Sequence, residues 1–329
     1  MQVRYLVLVM MLMGIGAAAA GQAPEQYFAV FMDGHKVGYE SSIRQVEKTK
    51  VTTTEAIDLT LSRNDISVRL TQKQTSFETA DGKPLGFESF SDLGMMQQVV
   101  KGTIDPNGKV TLKIGTGAAT QTQSMDWPQG AVMSEGLRLL QAATGLKAGS
   151  VVDAIMFDPE SMTPIKMRMK IGTKEKVDLL GRVAMLTKVE TLMETTGGSF
   201  SAIDYIDNEM VSQKRSTSIM GMNLEFVACD KVFALGKNDV VDFLDKAAIQ
   251  SPVSLAGAES AKAVRYKLTP LNQATLHFPA TDNQTVKMGN DGEVLLTARP
   301  VGVAAGGKFP YKGSDAVTIE ALKPGRYVQ

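Results

Sequence analysis

The chain has 329 residues, 43% hydrophobic and 21% charged, a globular balance with material for more than one core. Its 35 basic and 35 acidic residues cancel, so charge gives no reason to expect nucleic acid or an anionic membrane surface as partner. The single cysteine, Cys229, excludes an internal disulfide and a cysteine-rich zinc site, which leaves stability to core burial.

Residues 1–20 have the layout of a secretory signal peptide. Arg4 precedes the apolar run YLVLVMMLM, and the small-residue stretch GIGAAAA follows. The run is too short for a membrane-spanning helix, which takes about 20 apolar residues. Ala18 and Ala20 suit cleavage after Ala20, and no cysteine nearby could carry a lipid. The expectation is a periplasmic or secreted chain without a membrane anchor after cleavage.

From Gln26 to Asp230 the dominant period is two. Ile57, Leu59 and Leu61 share one face of AIDLTL, as do Ile66, Val68 and Leu70 of ISVRL. Ile165, Met167, Met169 and Ile171 alternate with three cations, and MNLEFVAC alternates again. Such alternation marks antiparallel strands with one buried and one wet face. Asp33-Gly34, Asp81-Gly82, Asn107-Gly108 and Asp291-Gly292 read as hairpin turns, because Asp, Asn and Gly tolerate positive φ. His35 then falls just past a bend, and a surface histidine beside a turn is the plainer reading than a catalytic one.

Two stretches carry helical spacing. AVMSEGLRLLQAAT predicts a helix over 131–144, with Leu137 and Leu140 buried and Gly145 as its stop. NDVVDFLDKAA predicts a second, capped by Asn238. Residues 249–260, rich in Ala, Ser and Gly, read as a linker. The strand pattern resumes over 261–329 in a small β domain. The expected fold is mainly β: a large curved antiparallel sheet over 21–248 with one helix across its apolar face, then the smaller β domain.

Candidate chemistry is sparse. Cys229, His277 and Asp282 follow the chain order of a cysteine hydrolase triad, but a thiolate needs a cationic neighbour or a helix N-terminus, and Cys229 sits in a strand pattern. The pairs Met95-Met96, Met167/Met169 and Met220/Met222 could suit exported copper; core filling explains Met167 and Met169 more simply. Asp204, Asp207 and Glu209 lack the spacing and glycine of a calcium loop, and Asp207-Asn208 reads as a turn. No phosphate-cradling loop, serine-nucleophile elbow or metalloprotease motif occurs. The residues therefore nominate no catalytic, cofactor or metal site.

YFAVFMDGHKVGYESS, with Gly34, Lys36, Val37, Gly38 and Tyr39, resembles the start of the β-rich N-terminal region of bacterial exported transglutaminase-like proteins. FETADGKPLGF, VRYKLT, NQTVK and the terminal LKPGRYVQ agree in order. The resemblance implies a non-catalytic region that binds or presents a protein or peptidoglycan-associated substrate. Its partner would be a papain-like catalytic core, in cis or in trans, expected after residue 329. On that reading Phe309, Tyr311 and Tyr327 would face the core. The alternative is a periplasmic carrier of lipid or another hydrophobic ligand, for which a curved sheet, a covering helix and methionine-rich strands would form an apolar cavity.

Overall fold

The structure, a computed structural model, describes residues 25–242 except 64–65, 95–96, 117–118, 196–197 and 220, and also 257, 260–270, 278–281 and 283–300. The signal-peptide reading, Met95-Met96, His277, Asp282, Phe309, Tyr311 and Tyr327 lie outside these residues. The chain divides into two compact units, 1–249 and 250–329.

In the first unit an antiparallel meander runs through β1 (Gln26–Met32), β2 (His35–Val46), β3 (Lys50–Arg63), β4 (Ile66–Thr79), β5 (Pro84–Asp92), β6 (Gln97–Ile104), β7 (Lys109–Thr116) and β8 (Ala119–Asp126). The chain then crosses through β9 (Ala131–Val132) and helix α1 (Ser134–Thr144). A second meander follows: β10 (Val151–Asp158), β11 (Thr163–Leu179), β12 (Arg182–Thr195), β13 (Gly198–Ile206), β14 (Ser212–Ile219) and β15 (Met222–Cys229). β15 pairs antiparallel with β1, Phe28 opposite Ala228, which joins both arms into one 15-stranded sheet running from β8 to β9. Among the described strand pairs of this sheet only the short β9–β10 pairing is parallel.

The arms curl toward each other. Ile57 and Leu59 of β3 share one buried cluster with Met167 and Met169 of β11 and Met193 of β12. Farther out, the Phe157 ring on β10 lies 5.1 Å from Phe87 on β5 and 4.6 Å from Trp127. The alternating pattern is the cause: each arm has one apolar face, and folding the faces together removes both from water at about 1.5–3 kcal/mol per large side chain. All four Gly-containing turns form, with Gly34, Gly82, Gly108 and Gly292 at positive φ.

Helix α1 departs from expectation in two ways. Residues 131 and 132 form β9, so the helix starts at Ser134. Leu137 is buried, but Leu140 is 39% exposed. The helix enters the fold by its first turn, where Ser134, Glu135, Gly136 and Leu137 are all buried, and its second half reaches the surface. Gly136 permits this approach: a Cβ there would meet the Gly82 carbonyl oxygen at 3.1 Å and Val132 at 2.9 Å.

The helix expected at Asn238 does not begin there. Asn238 Oδ1 accepts from Lys36 Nζ at 2.8 Å instead of capping, and the Ser62 amide donates to the Val241 carbonyl at 2.8 Å. Residues 238–241 belong to no helix, with Val241 buried and Val240 exposed, and residues 243–248 of the predicted helix lie outside the described residues. A short helix, α2 (Lys231–Ala234), lies earlier, capped by Asp230, whose Oδ1 accepts from the Phe233 amide at 2.8 Å.

In the second unit β16 (Val264–Leu268), β17 (Gln284–Met288) and β18 (Val294–Ala298) form an antiparallel sheet in the order β16-β18-β17. Val294 and Leu296 are buried. No described helix is long and apolar enough to cross a membrane.

Candidate functional site

A cleft of about 750 Å³ opens where the ends of β1, β2 and β15 meet the β11–β12 turn, the start of β14 and α2. Tyr27, Leu180, Arg182, Gln213 and Phe233 line it, with Arg44 and Cys229 also on its walls. Its apolar lips are Leu180, 47% exposed, and Phe233, 43% exposed. Leu180 is unusual in its backbone. It occupies the first central position of a two-residue turn at φ 58, followed by Gly181 at φ 89. Such a turn favours Asn or Asp there, and a bulky side chain at positive φ is strained. Leu180 is thus a leucine at positive φ with about half of its surface in water.

Polar groups sit beside the lips. Tyr27 Oη donates to Glu25 Oε2 at 2.6 Å, and Lys231 Nζ stands 5.3 Å above the Tyr27 ring. The cleft thus offers apolar surface, an aromatic face, amide groups and the Arg182 guanidinium, which suits a polypeptide segment better than a uniformly greasy or uniformly charged ligand.

Behind Arg44 the interior is charged. Arg44 Nε and Nη2 donate to Glu135 at 2.7 and 2.8 Å, and Arg138 donates to the same carboxylate at 3.0 and 2.6 Å. Burial pushes the Glu135 carboxyl up, but the hydrogen bonds from Arg138 and Arg44 outweigh it and hold the group below its ordinary range. Glu78 of β4 accepts from the Glu135 and Gly136 amides at 2.7 and 2.9 Å and so caps α1, whose own cap residue, Met133, has no side-chain acceptor.

Deeper still, Arg215 of β14 pairs with Glu40 of β2, both buried, and its guanidinium lies 5.0 Å from the Phe28 ring and 4.7 Å from Phe226. Asp204, opposite Arg215 in the sheet, accepts from Ser212 Oγ at 2.7 Å; burial pushes its carboxyl up to about 6. Glu55 is raised well above the ordinary range by burial and by the neighbouring Glu40 charge. Arg215, Glu40 and Glu55 are locked in the interior, whereas Asp204 is part-buried.

His35 begins β2 on the surface, its Nδ1 3.7 Å from Asp239 Oδ2. Cys229 ends β15 at the cleft wall, paired across the sheet with Tyr27. Burial pushes its thiol up, which outweighs the Ala29 backbone hydrogen bond that lowers it and the smaller effects of Asp230 and Lys36, the direction opposite to thiolate activation. Asp204 and Asp207 do not converge. Asp204 points inward, while Asp207 Oδ1 accepts from the Glu209 and Val211 amides at 3.0 and 2.9 Å and shapes the β13–β14 turn. Met167, Met169 and Met222 are buried core residues. Beneath α1 the space lined by Met167, Met169 and Leu137 is about 30 Å³, room for roughly one or two waters. Among the described residues no group of three His, Cys, Asp or Glu is placed to hold a metal ion.

No protein-family model matches the chain, and no curated protein matches its sequence. Among solved structures it is similar to a beta-barrel-like protein of the domain of unknown function DUF1849 from Brucella abortus, at 11% identity over 63% of this chain and 95% of that one, TM-score 0.47. A DUF1089 family protein from Pseudomonas aeruginosa matches at 11% identity over 59% and 91%, TM-score 0.26. A Bacteroides fragilis protein with a YmcC-like fold matches at 10% identity over 65% and 97%, TM-score 0.25. None of the three brings an activity or ligand to this chain.

Proposed function

We propose that the chain is an exported, non-catalytic polypeptide-binding module, in keeping with its resemblance to the front region of transglutaminase-like proteins. Its cleft takes an extended segment of a protein substrate and presents it to a papain-like core. The observation that carries this reading is Leu180: a leucine held at positive φ, half exposed, lining a cleft of about 750 Å³ together with an exposed Phe233. On this reading contact with a partner is what offsets the strain at Leu180. The charge network under Arg44 supports the reading by fixing the cleft floor before anything binds, which lowers the cost of ordering on association.

The hydrophobic-ligand carrier needs an apolar cavity of acyl-chain size, and the apolar space beneath α1 is about 30 Å³. The larger cleft mixes its apolar residues with Arg44, Arg182, Gln26 and Gln213, which favours the polypeptide reading. Fluorescence anisotropy with labelled, unstructured peptides tests it. Saturable binding that Phe233→Ser weakens about tenfold is expected, since a hot-spot aromatic contributes ~1–2 kcal/mol or more. Binding that is absent, or indifferent to Phe233→Ser and Leu180→Ser, would overturn it.

A further inference from the structure

The two ends of the large sheet are unlike. β9 is two residues long and runs into the buried first turn of α1, which leaves little edge to pair. β8 is eight residues long and, among the described residues, pairs with β7 alone, from Lys109 opposite Asp126 to Thr116 opposite Ala119, without a bulge. Every side chain of β8 except Met125 is exposed.

Open edges are ordinarily blunted by lysine, proline, a bulge or a covering element. The β8 sequence, ATQTQSMD, has none of the first three, and its one charge, Asp126, is held by Lys109 at 3.1 Å. Lysines are common next door, at 101, 109 and 113 on β6 and β7, so the bare edge is local to β8.

The phase of the edge is fixed. The Trp127 amide donates to the Gly108 carbonyl at 2.8 Å, so odd-numbered residues of this strand turn their backbone groups toward β7. Thr120, Thr122, Ser124 and Asp126 therefore point theirs outward.

We propose that β8 is a pairing edge through which two copies of this chain associate, antiparallel, about a two-fold axis at Gln123. Antiparallel pairing matches outward-facing residues with outward-facing residues. In this register Thr120 lies opposite the second copy's Asp126, Thr122 opposite its Ser124, and Gln121 opposite its Met125. Gln123 meets itself across the axis. No like charges face each other, and Thr, Ser and Gln side chains can hydrogen-bond across the strands. A second copy fits better than a foreign strand. Sequence-specific strand addition draws on pockets for alternate side chains, and β8 is exposed on both faces. Self-pairing needs only a self-complementary strand.

The contact is narrow and mostly backbone, so the dimer should be weak and concentration-dependent. Sedimentation velocity on the purified full chain across roughly a hundredfold concentration range should show monomer giving way to dimer. Thr122→Pro deletes an outward donor while sparing the bonds to β7, and should leave a monomer with an unchanged circular dichroism spectrum. In a Cys229→Ser background, Gln123→Cys should oxidise to a covalent dimer, because directly opposed residues there stand about 4.5 Å apart, within disulfide reach. Thr122→Cys should cross-link far less. A monomer at every concentration, or a dimer indifferent to Thr122→Pro with no cross-link at 123, would overturn the proposal.

Discussion

Glu78, a strand side chain, caps helix α1 through Gly136. Its Oε1 accepts from the Gly136 amide at 2.9 Å while its Oε2 accepts from the Glu135 amide at 2.7 Å. The helix lacks a side-chain cap of its own, so its first turn depends on a residue 58 positions earlier. Glu78→Ala leaves buried amide donors without an acceptor and should cost about 1–3 kcal/mol in urea denaturation. A loss below a few tenths would mean the helix holds itself.

The two leucines of α1 should behave differently. Leu137 is buried in the main cluster, so Leu137→Ala should cost about 2–5 kcal/mol. Leu140 is 39% exposed, and Leu140→Ala should stay within about 1 kcal/mol. Equal losses would show that the helix lies flat along its whole length.

Breaking the Arg215–Glu40 pair strands one buried charge. Arg215→Met alone should destabilise by about 3–5 kcal/mol, and adding Glu40→Met should recover a large part of it. Additive losses in the double variant would contradict the pairing.

The pH dependence follows from the same interior. Burial lifts Asp204 to about 6, so the folded chain holds a proton there that the unfolded chain has released. Stability from this group is full below the ordinary aspartate value of 3.8 and is lost as pH rises through about 6. The span corresponds to about 3 kcal/mol. Glu40, Glu55 and Glu78 are raised as well and act in the same sense, whereas Glu135, held low, acts in the opposite one. Denaturant midpoints should fall between pH 4 and 6.5 in the parent and fall less in Asp204→Asn.

Much of the fold was legible because period two is strong wherever one sheet face is apolar, as at Ile57, Leu59 and Leu61. The charged interior was legible too, though only by extending the same period past the apolar residues. Glu55 and Thr53 lie on the face of Ile57, and Glu40 lies two residues before Ser42 on the same face of β2. A pattern read as apolar against polar stops at Glu55, because a carboxylate looks like surface until its partners are placed. Those partners are remote: Arg215 lies 175 residues from Glu40, and Glu135 lies 91 from Arg44. The cleft was hidden for the same reason. Leu180-Gly181 carries no Asn or Asp to mark a turn, and nothing local to it announces Tyr27 or Phe233. The helix does not start at Asn238 because Lys36, far away in sequence, takes the Asn238 side chain.

Leu180→Asn separates fold from function. Asparagine tolerates positive φ better than leucine, so the variant should gain about 0.5–1 kcal/mol in stability while losing affinity for unstructured peptide. A variant that loses both would assign Leu180 to the fold.

The most direct test of the polypeptide-binding account is site-specific photo-crosslinking. A benzophenone side chain at position 180, on the cleft lip, is compared with one at 192, an equally exposed leucine on β12. Both are irradiated with a labelled, reduced and alkylated unfolded protein. The account predicts capture at 180 that unlabelled peptide competes away, with little capture at 192. Equal capture at both positions, or none at 180, would contradict it.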